Sequence, residues 1–248
     1  MCHPLATCDQ SARHVVQRAV QALFVRRDRQ AAHRFAGPDF RGHSSLSRST
    51  GPEALTELVE ALPPGFRYLP HRTLSQDDLV LVEATCHGLA EQPVTSYDLF
   101  RVAEGRLAEH WDAYGPVGLL GTAGRTDGRI PSPPGADPTP AVLQFIGNVL
   151  IGGRHSEAAS LTAPDVRYHR YDPVRGREHA AVPGRDPLVH PSVRYRRLLR
   201  CVAQRDTVFS LCRGEVDGAD GLLFDLFTVS GGRIQEHRGL AARTERPS

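Results

Sequence analysis

Apolar residues recur at intervals of three and four near the start of the chain. Between residues 12 and 35 they form one stripe along a predicted helix: Val15, Val16, Ala19, Val20, Leu23 and Phe24. A matching stripe begins near residue 140 and contains Val142, Phe145, Ile146, Val149 and Leu150. The pattern therefore predicts an amphipathic helix at the start of each half of the chain.

A second, shorter helix is predicted in the first half. Gly51 and Pro52 precede the sequence EALTELVEAL, and Pro63 ends it, since proline cannot continue a helix. The corresponding segment of the second half, REHAAVPG, predicts a counterpart helix that Pro183 interrupts.

The pattern changes after these helices. The segments FRYLPHRTLS, DLVLVEATCHG, TSYDLFRVAEG and RLAEHWDAYG are rich in β-branched and aromatic residues, as strands are, and Ala103, Glu104 and Gly105 are predicted to turn between the last two. Helices followed by antiparallel strands predict an α+β fold with the helices on one face of a curved sheet. Such a half-open cone leaves a pocket between helices and sheet.

The chain contains an internal repeat. YDLFRVAEGRLAEHW, residues 97–111, aligns without a gap with FDLFTVSGGRIQEHR, residues 224–238, and eight of the fifteen positions are identical. Upstream, PDFRGH at 38–43 matches PDVRYH at 164–169, and QDDLVLVEATCHG corresponds to QRDTVFSLCRG. Three anchors in the same order indicate a duplicated domain.

The duplication predicts the domain boundaries. The first domain spans residues 1–115 with its core at 12–115, and the second spans 139–248 with its core at 139–242. Residues 116–138 are rich in glycine and proline and are predicted to be a linker. Each copy is long enough for one hydrophobic core.

Composition excludes several classes of function. Hydrophobic residues make up 40% of the 248 residues, and the net charge of +2 shows no long run of one sign, so neither nucleic acid nor a membrane is predicted as a partner. No CxxC pair or phosphate-binding glycine loop is present, and no metal or other cofactor is predicted. The N-terminus lacks a signal-peptide pattern, so a cytoplasmic location is expected.

The helix pair, the segment from Asp39 to His43 and the hairpin DLFRVAEGRLAEHWD together resemble the SnoaL-like polyketide cyclase group of the nuclear transport factor 2-like superfamily. The resemblance covers most of both halves and implies two tandem cone-shaped α+β-barrel domains. The superfamily includes isomerases, dehydratases, epoxide-opening cyclases and non-catalytic binding modules, so the fold alone does not identify a reaction.

Candidate catalytic residues lie in the last strand of the first copy. Because side chains alternate along a strand, His110, Asp112 and Tyr114 share one face, where a histidine and a carboxylate could act as general acid and base. His43 is expected to enter the pocket from the opposite wall. The resemblance favours His43, His110 and Asp112 as catalytic residues, since these cyclases use an aspartate and histidines to move a proton beside a carbonyl. Each of the three also has a purely structural interpretation.

Further residues are candidates for substrate binding. They are Glu83, Tyr114, Tyr168, His169, Tyr171, Asp172 and His237. Glu83 lies within an apolar strand and either points outward or is an inward carboxylate with a raised pKa; the outward position is favoured. In the second copy, Arg238 and Gly239 replace Trp111 and Asp112, so proton transfer at that site is doubtful. Arg170, Arg175 and Arg177 beside Tyr171 could hold an anionic group, but arginine is so frequent in this chain that a solvated face is favoured.

Two classes of function follow. The first is a cofactor-independent cyclase or isomerase that acts on a small apolar, polyketide-like natural-product intermediate, or that opens an epoxide as polyether cyclases do. The second is a binding or scaffolding module that holds a ligand without transforming it. In either case the two domains are expected to pair as an internal pseudo-dimer, giving a monomer or a homodimer with a small molecule as ligand.

Overall fold

The computed structural model describes residues 4–44, 49–116, 137–172, 177–179 and 192–244. The chain divides into two compact units, Met1–Val117 and Gly118–Ser248. Most of the predicted linker, residues 117–136, lies outside the described residues.

The first unit begins with helices and ends with strands. Its helices are α1 (Pro4–Val20), continued by a π-helical segment (Gln21–Val25), α2 (Ala31–Phe35) and α3 (Pro52–Ala61). Its strands are β1 (Ala36–Gly42), β2 (Arg67–Gln76), β3 (Leu79–His87), β4 (Val94–Ala103) and β5 (Arg106–Pro116). The sheet order is β1-β5-β4-β3-β2, antiparallel except for the parallel pair β1 and β5.

The second unit repeats this order. It contains α4 (Thr139–Gln144), a π-helical segment (Phe145–Ile151), a 3₁₀ turn (His155–Glu157), α5 (Ala158–Leu161), β6 (Thr162–Asp172), β7 (Arg177–His179), β8 (Val193–Gln204), β9 (Thr207–Val216), β10 (Ala219–Ser230) and β11 (Arg233–Arg243). Its sheet order is β7-β6-β11-β10-β9-β8, which equals the first sheet with one short edge strand added.

The helices of the first unit cover one face of its sheet, called here the inner face. Leu23 of the π-helical segment and Leu55 of α3 share a core with Val82, Phe100 and Leu107 of the sheet. All five side chains are buried. Burial of one such side chain contributes about 1.5–3 kcal/mol, so the amphipathic stripe of the sequence is what attaches helix to sheet.

The repeat is visible in local geometry as well. The long helix of each unit ends in a π-helical segment, at Gln21–Val25 and at Phe145–Ile151. The last hairpin turns at Glu104 and Gly105 in the first unit and at Gly231 and Gly232 in the second, with positive φ at all four residues. Two residues of positive φ are what a tight two-residue hairpin turn requires.

The α+β fold of two tandem domains is confirmed, with two corrections. Both sheets are open, so neither domain is a closed barrel. The predicted helix at REHAAVPG is wrong over its first three residues, because Arg177–His179 pair with β6 as a strand; its remaining residues lie outside the described part of the chain. Among the described residues, the structure contains no helix with the length and apolar character needed to cross a membrane.

Candidate acid–base site

The site of the first unit lies where β4 and β5 pair on the inner face. Asp98 is directly opposite Asp112, and Phe100 is directly opposite His110, so the histidine is one diagonal step from Asp98. The helices close this face, and Phe24 packs 6.1 Å from the His110 ring while Phe100 stacks on it at 4.5 Å. The structure thus brings His110 and Asp112 together in an apolar environment.

Asp98 is the centre of the hydrogen-bond network. Its Oδ2 accepts from the Tyr68 hydroxyl at 2.8 Å and from Ser96, and its Oδ1 lies 2.9 Å from His110 Nε2. Because a carboxylate only accepts, Nε2 carries the hydrogen of this bond. Burial raises the pKa of Tyr68 well above its usual value, and the negative charge of Asp98 adds to this effect. The phenol therefore stays protonated and donates its hydrogen bond.

Asp112 has a different environment. Ser44 and Tyr114 both donate to its Oδ2, at 2.8 and 3.0 Å, whereas its Oδ1 accepts no hydrogen bond from the described residues. Burial raises the pKa of Asp112, and the negative charge of Asp98 adds to this effect. His110 and the two hydroxyl donors lower the pKa, but by less than burial and Asp98 together raise it. With 5% of its surface exposed, against 1% for Asp98 and none for His110, Asp112 is the most accessible of the three.

The three side chains also form a set of metal-ligand type. One carboxylate oxygen each from Asp98 and Asp112 and one ring nitrogen of His110 all lie within 4.8 Å of one another.

Two predicted site residues lie on the opposite face of the sheet. His43 stacks on Trp111 with ring centroids 4.8 Å apart, and its Nε2 is 3.3 Å from Glu109. Glu83 pairs with Arg72 at 3.3 Å and lies on the face away from Val82 and the helices, where it is buried. The placement of His43 corrects the expectation that it enters the pocket.

The second unit repeats the core of the network. Asp225 accepts from the Tyr195 hydroxyl at 2.7 and 2.8 Å, and it lies 2.7 Å from His237 Nε2. These residues correspond to Asp98, Tyr68 and His110, each at an offset of 127. A buried tyrosine, aspartate and histidine are therefore common to both domains.

The domains differ at one pair of positions. In the first, Ser44 donates to Asp112; in the second, the register places Arg170 beside Gly239. The Arg170 guanidinium binds Asp225 at 2.9 Å, donates to the Tyr195 hydroxyl and lies over that ring at 5.3 Å. A Cβ at Gly239 would lie 2.8 Å from Arg170 Nη2, so the arginine occupies the space in which Asp112 lies in the first domain.

This exchange places a positive charge beside the buried aspartate of the second site. Burial alone would raise the pKa of Asp225, but Arg170 and then His237 hold it below its usual value. Burial lowers the pKa of His237 despite its hydrogen bond to Asp225. The second site is thus an aspartate and arginine ion pair beside a neutral histidine.

The other candidates of the second unit differ in their distance from this site. The Tyr168 ring contacts the His237 ring edge to face at 6.0 Å. His169 lies 3.5 Å from Glu236, as His43 lies beside Glu109 in the first domain. Tyr171 is half-buried in β6, and the side chain of Asp172 lies outside the described part of the structure.

Glu236 gives a prediction for acid stability. Burial would raise its pKa, but His169, Arg238 and Arg167 hold it at about 2. A carboxyl group with a lowered folded-state pKa stabilises the fold above its unfolded value, and this contribution is lost as pH falls. We expect the stability difference between the wild type and Glu236→Gln to shrink between about pH 4.5 and pH 2. Urea unfolding at several pH values measures it, and a constant difference would contradict it.

Sequence reasoning missed several members of these networks. Asp98 and Asp225 match between the copies, but an acid that enters a strand before leucine and phenylalanine is as easily a structural residue as a site residue. Tyr68 and Tyr195 also match, in RY dipeptides at 67–68 and 194–195, and this signal was available in the sequence. Ser44 has no such signal, because its counterpart is Arg170.

Comparisons with known proteins agree with this architecture. The SnoaL-like domain family matches residues 16–110. A comparison with curated proteins gave no match.

Several solved structures are similar to this chain. A protein assigned as a ketosteroid isomerase from Kribbella flavida is 15% identical, with 43% of this chain and 78% of that chain covered and a TM-score of 0.38. An LEH-like epoxide hydrolase from M. tuberculosis is 21% identical, with 43% and 84% covered and a TM-score of 0.36. An NTF2-like protein from Mesorhizobium loti is 18% identical, with 43% and 92% covered and a TM-score of 0.39.

The matched residues include the end of α1, the strands β1 to β4 and the first half of β5, with Asp98 and His110 among them. The similarity to the SnoaL-like domain family therefore applies to the first domain, over residues 16–110.

Proposed function

We propose that the first domain is a cofactor-independent cyclase or isomerase, in which Asp112 moves a proton beside a carbonyl group of a small apolar, polyketide-like compound. The observation that carries the proposal is the state of Asp112: a buried carboxyl group with a raised pKa and one oxygen without a hydrogen bond from the described residues. A raised pKa makes a carboxylate a better base, because its conjugate acid holds the proton more firmly.

The surrounding groups have supporting roles. Ser44 and Tyr114 fix Oδ2 of Asp112, which leaves Oδ1 to take the proton from the carbon. In an isomerisation the same proton returns to another carbon; in a ring closure the enolate carbon attacks a second carbonyl and the proton passes to the new alkoxide. Asp98 and Tyr68 orient His110, whose ring borders the site.

The second domain is proposed to be non-catalytic. It has Gly239 where the first domain has Asp112, and the Arg170 guanidinium fills the space of the missing carboxyl group. An aspartate held by a buried arginine is a weak base. The alternative of a binding or scaffolding module therefore applies best to this half.

Opening of an epoxide remains a second candidate for the first domain. A carboxyl group with a raised pKa can also donate a proton, and donation to an epoxide oxygen would assist attack at the adjacent carbon.

Proton exchange tests the proposal directly. The protein is incubated in D₂O with apolar cyclic β,γ-unsaturated ketones and 1,3-diketones, and deuterium at the carbon beside the carbonyl is followed by NMR. We expect an exchange rate above the buffer rate, rising with pH through the raised pKa of Asp112 because only the carboxylate accepts a proton. Exchange at the buffer rate over the whole panel would remove the proposal. Opening of epoxides in the same panel would instead favour the second candidate.

A further inference from the structure

We propose that Asp98, His110 and Asp112 of the first domain bind a divalent transition-metal ion. Their donor atoms lie within 4.8 Å of one another, and all three side chains are buried. Two carboxylates and one imidazole form a donor set that suits Zn²⁺ and its neighbours in the first transition series. The inference goes beyond the proposed reaction and does not depend on it; a bound ion would inhibit that reaction, because it would occupy the carboxylate that takes the proton.

An uncommitted oxygen of Asp112 is the first support. Asp112 is buried, and its Oδ1 accepts no hydrogen bond from the described residues. Buried polar atoms are nearly always satisfied, by protein, by water or by an ion. His110 Nε2, which lies 2.9 Å from Asp98 Oδ1, would be the metal ligand, and the ion would take the place of the hydrogen that now joins these two atoms.

The internal comparison is the second, independent support. In the second domain a guanidinium lies 2.9 Å from Asp225, so that buried carboxylate has a cation beside it. In the first domain the equivalent Asp98 faces another carboxyl group, Asp112, and Ser44 stands where the arginine would be. Among the described residues no lysine or arginine pairs with Asp98 or Asp112. A divalent cation would supply the missing charge.

The distances require a modest adjustment. Zn²⁺ binds nitrogen and oxygen at about 2.1 Å, so two ligands of one tetrahedral ion lie roughly 3.4 Å apart. The 2.9 Å between His110 Nε2 and Asp98 Oδ1 already approaches this, and because all three atoms lie within 4.8 Å, the widest pair would close by up to about 1.4 Å. Rotation of the Asp112 side chain, the most accessible of the three, can bring its carboxylate closer to His110 and Asp98. The ion would then displace the proton from Asp112, so binding should weaken as pH falls.

Cobalt titration of the full-length protein tests the site. We expect one equivalent of Co²⁺ to produce a visible absorption band that Zn²⁺ removes, and Asp112→Asn to weaken Co²⁺ binding by about 10-fold or more. Asp220→Asn is the matched control, because Asp220 is a half-buried acid of the second domain that pairs with arginines; it should bind as the wild type does. No band, or equal affinity in Asp112→Asn, overturns the proposal.

The wild type alone provides a second measurement, should Asp112→Asn fail to fold. Trp111, the single tryptophan of the chain, lies next to His110 and Asp112, so bound Co²⁺ should quench its fluorescence with the same midpoint as the absorption band. A band without quenching places the metal elsewhere and overturns the site. Proton exchange by the metal-free protein separates the two proposals: exchange without Co²⁺ binding leaves only the reaction, and Co²⁺ binding without exchange leaves only the metal site.

Discussion

Asp112→Asn should lower the rate of carbon-proton exchange in the first domain by about 10²–10⁴-fold, the usual effect of losing a general acid or base. Asparagine keeps the shape of the side chain and can still accept the hydrogen bond from Ser44, but it cannot hold the proton. The measurement is deuterium incorporation by NMR at saturating ketone. A loss in the rate constant without a rise in the Michaelis constant would show that the carboxylate acts on the transition state.

A measurement of the stability of Asp112→Asn distinguishes the loss of the catalytic group from unfolding of the variant. The pKa of Asp112 is raised in the folded protein, so folding disfavours its charged form and the ionised carboxylate costs stability above that pKa. Asp112→Asn removes this cost, and we expect the variant to be at least as stable as the wild type at pH 7. Asp220→Asn, on the surface of the second domain, should change neither the rate nor the reaction products. Full exchange activity in Asp112→Asn would exclude Asp112 as the base.

Much of the fold could be predicted because two independent patterns agree. The three- and four-residue spacing in 12–35 marks a helix, and the same residues, Leu23 among them, form the core with the sheet. The repeat then assigns the same fold to the second half, where the stripe from Val142 to Leu150 is shorter. The helix predicted for REHAAVPG was wrong because the edge strand at its start has only three residues, which are too few to show the two-residue period of a strand.

The site was predicted only in part, because the sequence does not show how the strands are aligned with one another. His110 and Asp112 lie on one strand, so alternation alone places them on the same face. His43 lies just beyond β1, whose pairing with β5 shifts register between Ala36 and Arg41. A register shift of one residue exchanges the two faces, and no local pattern in the sequence reveals it. Arg170 appeared solvated because arginine is abundant in this chain, and only the tertiary structure shows that it is buried against Asp225.

Asp225→Ala should destabilise the second domain by about 3–5 kcal/mol, the usual result of removing one partner from a buried ion pair. The substitution leaves the Arg170 guanidinium without its carboxylate, since the Arg170 side chain is only 11% exposed and its Nη1 has no partner among the described residues. It also removes the acceptor of the Tyr195 hydroxyl and of His237. Urea unfolding measures the loss, and a chain of two domains can unfold in two transitions.

The double variant Asp225→Ala with Arg170→Met tests the cause. Methionine removes the buried charge while filling much of the space, so the double variant should be more stable than Asp225→Ala alone, with a coupling energy of about 0.5–3 kcal/mol. Asp98→Ala is the matched change in the first domain: it also removes an acceptor of tyrosine and histidine, but it leaves no buried cation behind. Its cost should therefore be smaller than that of Asp225→Ala. If the two single variants lose equal stability and the double variant recovers none, the buried arginine is not what makes Asp225 necessary, and the contrast drawn between the two sites fails.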